Sequence, residues 1–185
     1  MNGLILIDIQ RAFDAARWGD YWGARNNPEA EANAGRLLET WRKRALPVFH
    51  VCHHSTNPAS PLYGADGQGF HPAVEPLAEE LVFPKSVNSG FIGTDLEAEL
   101  RAAGCDAVTI AGLTTPHCVS TTTRMAANLG FDVTLVHDAC AAFTQNVDVA
   151  WRGGQMPSAE QIHDAAIDAL SVEFATIRAT ADLLG

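Results

Sequence analysis

The sequence predicts a three-layer α/β domain, a doubly wound, mainly parallel sheet of six strands with helices on both faces. Three observations predict it. The chain opens on Leu4-Ile5-Leu6-Ile7, apolar at every position, as a strand covered on both faces requires. Short apolar runs then alternate with stretches of helical periodicity, the pattern of right-handed βαβ units. The 185 residues are 47% hydrophobic, enough for one sizeable core, and no repeat or linker divides them. Residues 1–185 therefore read as a single domain.

Each element has its own signal. The first strand ends at Asp8, and a helix is expected from about Pro28 to Arg44, with Pro28 at its start and Leu37, Leu38 and Trp41 on one face. Pro47 to Cys52 reads as the second strand. The stretch from His53 to Pro76, rich in Pro, Gly, Ser, Asn and His, reads as a long loop, a kind that in compact domains is usually functional or disordered. Leu81-Val82-Phe83 is the third strand, ending at Pro84-Lys85. A helix should start near Thr94, with Thr94 and Glu97 at capping-box spacing and Gly104 beyond its end. Ala107 to Ala111 is the fourth strand, a helix runs from about Pro116 to Leu129, and Asp132 to Val136 is the fifth strand. Asp138 beyond it could cap a helix. Ser158 caps a helix reaching Leu170, Glu173 to Ile177 forms the sixth strand, and a short helix spans Ala179 to Leu184.

Charge and cysteine usage narrow the function classes. Twelve basic against 22 acidic residues give a net charge of −10, unfavourable for nucleic acid or an anionic membrane as partner. Leu4 to Ile7 is too short for a signal peptide or a membrane span. Cys52, Cys105, Cys118 and Cys140 show no C-x-x-C spacing and read as reduced thiols, so the expected location is cytoplasmic.

In doubly wound sheets ligands bind beyond the carboxyl ends of the strands. Asp8 lies there after the first strand, Lys85 after the third, and Cys118 where the fourth strand gives way to its helix. In Gly112-Leu113-Thr114-Thr115-Pro116-His117-Cys118, Thr115 can cap the helix and Pro116 take its first position. Cys118 then falls in the first turn, where unpaired N–H groups and the helix dipole favour a thiolate and can hold an oxyanion. Lys85 would stabilise the thiolate further, and Asp8 could accept its proton. Taken singly, Asp8 could merely bond a neighbouring N–H, Lys85 be a solvated charge, and Cys118 a small packing residue. Three such residues converging make the stronger case.

With these residues in view, the chain resembles the isochorismatase-like cysteine hydrolase superfamily over nearly its whole length. The resemblance rests on Leu6-Ile7-Asp8-Ile9-Gln10 with Phe13-Asp14, and on Phe83-Pro84-Lys85 leading into Asn88-Ser89-Gly90-Phe91. Its most specific part is Ala111-Gly112-Leu113-Thr114-Thr115-Pro116-His117-Cys118-Val119-Ser120-Thr121-Thr122, continuing to Leu129-Gly130-Phe131. It implies a Rossmann-like sheet of order 3-2-1-4-5-6 and an Asp8–Lys85–Cys118 triad. It also implies a cis peptide at Leu113–Thr114, an oxyanion hole of the Thr114 and Cys118 N–H groups, and a homo-oligomer (dimer or tetramer). Members that hydrolyse isochorismate-type vinyl ethers generally lack the thiol, whereas amidohydrolases keep it. The expected reaction is thus cleavage of a small carboxamide, ureide or carbamoyl C–N bond through a Cys118 thioester. Alternatives are hydrolysis of an ester or vinyl ether in the same pocket, or a non-catalytic binding or redox thiol.

The remaining side chains with chemistry are mostly aromatic or imidazole. Phe13, Phe91, His54 and His117 are the expected contacts for a small amide-like substrate. Nicotinamidases of the superfamily hold a metal through an Asp-x-His pattern, which Val51-Cys52-His53-His54 lacks; neighbouring histidines on an extended segment also face opposite ways. No metal and no cofactor are therefore expected, with His53 structural and His54 near the pocket. The aromatic segment Trp18-Gly19-Asp20-Tyr21-Trp22 is left as either packing or a pocket wall.

Overall fold

The computed structural model describes residues 1–185. Strand β1 (Asn2–Ile7) is followed by helices α1 (Ala15–Trp22) and α2 (Ala30–Lys43), then β2 (Val48–His53). A short turn of helix, α3 (Ala65–Gln68), interrupts the long loop before β3 (Leu81–Lys85) and α4 (Leu96–Ala102). Strand β4 (Ala107–Leu113) runs into a π-helical turn, Thr115–Val119, and α5 (Ser120–Asn128). Strand β5 (Asp132–Ala141), helix α6 (Ala159–Ser171) and the short β6 (Thr176–Arg178) complete the order. The six strands form one sheet in the expected order β3-β2-β1-β4-β5-β6, and every adjacent pair is parallel.

The apolar run that opens the chain is explained by its position. β1 is central, and its residues alternate between two cores. Ile5 and Ile7 pack with Phe49, Val51, Val108 and Ile110 beneath α4, α5 and α6. Leu4 and Leu6 face Ala34, Leu37, Leu38 and Trp41 of α2 on the other side. A polar residue at any of these four positions would lose its hydration within one core or the other, so the strand must be apolar on every residue.

Several local expectations give way to longer-range contacts. Thr94 is not the N-cap of α4 and makes no box with Glu97; the helix starts at Leu96 after Asp95, and the Thr94 hydroxyl donates to the Gly90 carbonyl at 2.5 Å and accepts from the Leu96 N–H at 3.4 Å. Asp138 does not cap a helix, because β5 runs ten residues and includes it. Its carboxylate accepts instead from the Thr180 N–H at 2.8 Å and hydroxyl at 2.7 Å, tying down the C-terminal 3-10 turn that replaces the expected last helix. The Ser158 cap is present, its hydroxyl accepting from the Gln161 N–H while the Gln161 side chain accepts from the Ser158 N–H.

Two features at the carboxyl end of the central strands shape the site. Asp8 follows β1 with φ +52°, in the left-handed region seldom used by non-glycine residues. Gly112 in β4 has φ +145°, and a Cβ there would lie 2.0 Å from the Ile7 carbonyl oxygen. Only glycine lets β4 approach β1 so closely just before the strand hands over to the cysteine turn. The Leu113–Thr114 peptide is cis, as the resemblance implies.

Candidate active site

Asp8, Lys85 and Cys118 meet at the carboxyl ends of β1, β3 and β4. The Lys85 Nζ donates to Asp8 Oδ2 at 2.6 Å and to the Cys118 sulfur at 3.4 Å. Both charged side chains are buried, Lys85 with 0% and Asp8 with 1% of the side chain exposed. A charge pair so deep is sustained by its geometry, since either member alone would face most of the desolvation cost. Asp8 Oδ1 accepts no hydrogen bond within the protein, so one carboxylate oxygen stays free for a proton.

A fourth residue completes the cluster. His53 Nδ1 lies 3.0 Å from Lys85 Nζ, so the ammonium directs its three hydrogens at Asp8, Cys118 and His53. Residues 53 and 85 are register partners of β2 and β3, which puts their side chains on the same side of the sheet. His54 is exposed, with Nε2 3.6 Å from the Cys52 sulfur, and its charge acts on Asp8. His53, expected to be structural, therefore stands in the cluster, because β2 extends one residue further than its apolar run. Gln10 fixes the segment: its Oε1 accepts from the His53 N–H at 2.8 Å, and its Nε2 donates to the His53 and Gln68 carbonyls.

Asp8, His53 and Cys118 offer three ligand atoms within 4.8 Å of one another, a spacing compatible with a metal ion. The Lys85 ammonium already bonds all three, so a cation there would have to displace it. The geometry fits an ammonium-centred cluster better than a metal centre.

Electrostatics alter the expected state of the thiol. Burial pushes the Cys118 thiol well above the usual cysteine range; the Asp8 charge adds to this, and Lys85 only partly offsets it. Burial beside a carboxylate thus opposes the thiolate that a first turn of helix and Lys85 would favour. Burial likewise raises the Asp8 carboxyl, against the opposing pull of Lys85. Burial, followed by the Lys85 charge and His54, brings the His53 imidazole down to about 4, so it is neutral at physiological pH. Cys52 is pushed up to about 11 and Cys140 to about 12, both chiefly by burial, consistent with packing thiols.

The turn carrying Cys118 also differs from the expected helix start. Thr115 makes no cap; its hydroxyl pairs at 2.9 Å with Nδ1 of His163, a buried residue of α6. The Thr114 N–H finds no acceptor within the protein. The Cys118 sulfur also lies 3.8 Å from Asn88 Oδ1, a residue of the Asn88-Ser89-Gly90-Phe91 motif with no expected role at the site.

The expected substrate contacts are dispersed. Phe13 is 3% exposed and stacks on Trp22 at 4.6 Å and Phe143 at 5.6 Å. Trp22 also donates to the Ala12 carbonyl, so this end of the aromatic segment is packing rather than a free pocket wall. Phe91 stacks on Phe131 at 6.3 Å against the core. His117 is exposed beside Cys118. A polar cavity of about 600 Å³, lined by Arg11, Phe13, Arg17, Arg25 and His71 among others, includes none of Asp8, Lys85 and Cys118 in its wall.

This fold and site define a doubly wound α/β protein with a thiol, an ammonium and a carboxylate buried together at its strand ends. Residues 2–182 match the isochorismatase domain. The isochorismatase family protein YrdC of Bacillus subtilis is 44% identical over 99% of this chain and 94% of its own length. A solved isochorismatase-family hydrolase from Chromobacterium violaceum superposes with a TM-score of 0.90 at 41% identity, covering 99% of this chain and 91% of that one. The chain belongs to the isochorismatase family and is a hydrolase of that family.

Amidases stand among the similar proteins. Streptothricin hydrolase of Streptomyces noursei is 31% identical over 92% of this chain and 56% of its own. The nicotinamidase/pyrazinamidase of Mycobacterium tuberculosis is 32% identical over 81% of this chain and 91% of its own. The N-carbamoylsarcosine amidase structure from Thermoplasma acidophilum has a TM-score of 0.74 at 27% identity, covering 100% of this chain and 99% of that one. No helix is long and apolar enough to cross a membrane.

Proposed function

We propose that this protein is a cysteine amidohydrolase, cleaving the C–N bond of a small carboxamide, ureide or carbamoyl compound through a thioester on Cys118. The observation that carries the reading is the Lys85 ammonium bonded to both the Asp8 carboxylate and the Cys118 sulfur. That arrangement suits a thiol that is neutral at rest and ionises only as substrate binds. Asp8 takes the thiol proton through its free oxygen, and the thiolate forms against the lysine charge. Sulfur then attacks the substrate carbonyl carbon, and the developing oxyanion is held by the N–H groups of Thr114 and Cys118.

The same proton completes the first half. Protonated Asp8 delivers it to the departing nitrogen, which leaves as ammonia or an amine, and the acyl group stays on sulfur. Asp8, again a carboxylate, removes a proton from water, and the hydroxide attacks the thioester. The tetrahedral intermediate expels the thiolate, which recovers its proton from Asp8. The streptothricin, nicotinamide and carbamoylsarcosine enzymes among the similar proteins support C–N cleavage over cleavage of a vinyl ether.

The test is ammonia release across a panel of small amides, ureides and carbamoyl compounds, with Cys118→Ala as control. Release by the native protein, and its loss by a factor of about 10⁴ or more in the variant, is the expected result. Full activity in Cys118→Ala would refute the covalent route.

A further inference from the structure

We infer that His53, clamped by Gln10, is a positioning residue that holds the Lys85 ammonium between Asp8 and Cys118 by accepting its third hydrogen. The inference deepens the cysteine-hydrolase reading and rests on it. An ammonium offers three hydrogens at roughly tetrahedral angles, and a lysine stem of four methylenes leaves its position soft. With Asp8 at 2.6 Å and Cys118 at 3.4 Å, the carboxylate is much the stronger partner. Left with these two alone, the ammonium would settle toward Asp8 and away from sulfur. His53 Nδ1 at 3.0 Å supplies a third anchor.

The surroundings of His53 are arranged for that task. Gln10 is buried and grips both the N–H and the carbonyl of His53, so the backbone from which the imidazole projects is held at two points. The β2–β3 register places His53 directly opposite Lys85. For Nδ1 to accept, a neutral ring must carry its proton on Nε2. Burial and the Lys85 charge keep the ring neutral over the physiological range, and an ammonium beside Nδ1 favours the tautomer protonated on Nε2.

The position is testable without knowing the substrate. Iodoacetamide alkylates a thiol by displacement, sulfur bonding the carbamoylmethyl carbon while iodide leaves and Asp8 takes the proton. The rate at Cys118 is followed by peptide mass spectrometry from pH 5 to 9 in the native protein and in His53→Ala, His53→Asn and His53→Gln. The amide oxygen of Asn stands as many bonds from Cα as His Nδ1, whereas that of Gln stands one further. Removal of the third anchor should slow alkylation about tenfold in His53→Ala, as for a loss of about one pKa unit in thiolate stability. His53→Asn should stay within about threefold of native, and His53→Gln should resemble His53→Ala.

A native rate and pH profile in His53→Ala would overturn the inference. Should that variant fail to fold, equal rates in the Asn and Gln variants would overturn it, and a clear advantage for Asn would sustain it. Ammonia release distinguishes the two readings. A native protein whose Cys118 alkylates with the expected His53 dependence, but which hydrolyses no amide, refutes the amidohydrolase reading alone. A Cys118 inert to iodoacetamide at every pH in the native protein overturns the inference on His53, while ammonia release alone decides the hydrolase reading.

Discussion

Lys85→Met removes a buried charge while keeping the length of the aliphatic stem, and its cost should depend on pH in a calculable way. Asp8 has 1% of its side chain exposed, and Lys85 is its only ion-pair partner. Without that partner, an ionised Asp8 would cost about 3–5 kcal/mol. The alternative is to keep the carboxyl protonated. With an unfolded value near 3.9, that costs about 4 kcal/mol at pH 7 and about 1.5 at pH 5, at about 1.4 kcal/mol per pH unit. Burial already raises the folded Asp8 value in the native protein, and loss of Lys85 raises it further. A raised folded value for an acid means stability present at low pH and lost as pH rises through it. The destabilisation of Lys85→Met relative to native should therefore shrink by roughly 2–3 kcal/mol from pH 7 to pH 5. Urea unfolding at the two pH values measures it, provided the m-value is unchanged. Asp8→Asn combined with Lys85→Met should flatten the dependence. A pH-independent loss in the single variant would refute the claim that Asp8 is a buried carboxylate held ionised by Lys85.

Other perturbations follow from single contacts. Gly112→Ala places a Cβ 2.0 Å from the Ile7 carbonyl oxygen at φ +145°, and should cost 4 kcal/mol or more (about), read as a large fall in Tm or loss of soluble protein. Ser158→Ala removes the capping box of α6 and should cost about 1 kcal/mol in urea unfolding, with the hydrolase activity retained. Glu80 tests acid stability. Burial alone would raise its carboxyl, but hydrogen bonds from Arg42, the Leu77 N–H and His50 outweigh that and bring it to about 2. A lowered folded value gives stability present above the unfolded value near 4.5 and lost as pH falls toward 2. Glu80→Gln should accordingly narrow its deficit against native over that window, as followed by circular dichroism.

Much of the fold was legible because its signals are local. β1 had to be apolar on all faces, and its two core clusters show why. The Ser158–Gln161 box needs only residues three apart, so it is present as expected. Thr115 and Asp138 satisfied the same local rule, yet their side chains bond far along the chain, to His163 and to Thr180. A capping residue can choose a distant partner, and spacing carries no information about that choice. Among the site residues, Asp8, Lys85 and Cys118 could be marked by their places after strands. Asn88 lies in the Asn88-Ser89-Gly90-Phe91 motif with no strand end to mark it, and Gln10 directly follows Asp8-Ile9.

By itself the sequence determined the sheet, its order of elements and the three side chains at its carboxyl edge, since periodicity and strand ends are properties of contiguous residues. Tertiary structure alone decided which histidine enters the site. The answer turns on β2 extending to His53 and pairing there with Lys85 across the sheet. It also decided the surroundings of the Cys118 thiol. A first turn of helix favours a thiolate, but burial beside Asp8 raises the Cys118 thiol instead. Both outcomes depend on groups 32 or more residues away in the chain, whose distance and dielectric surroundings exist only once the strands have come together.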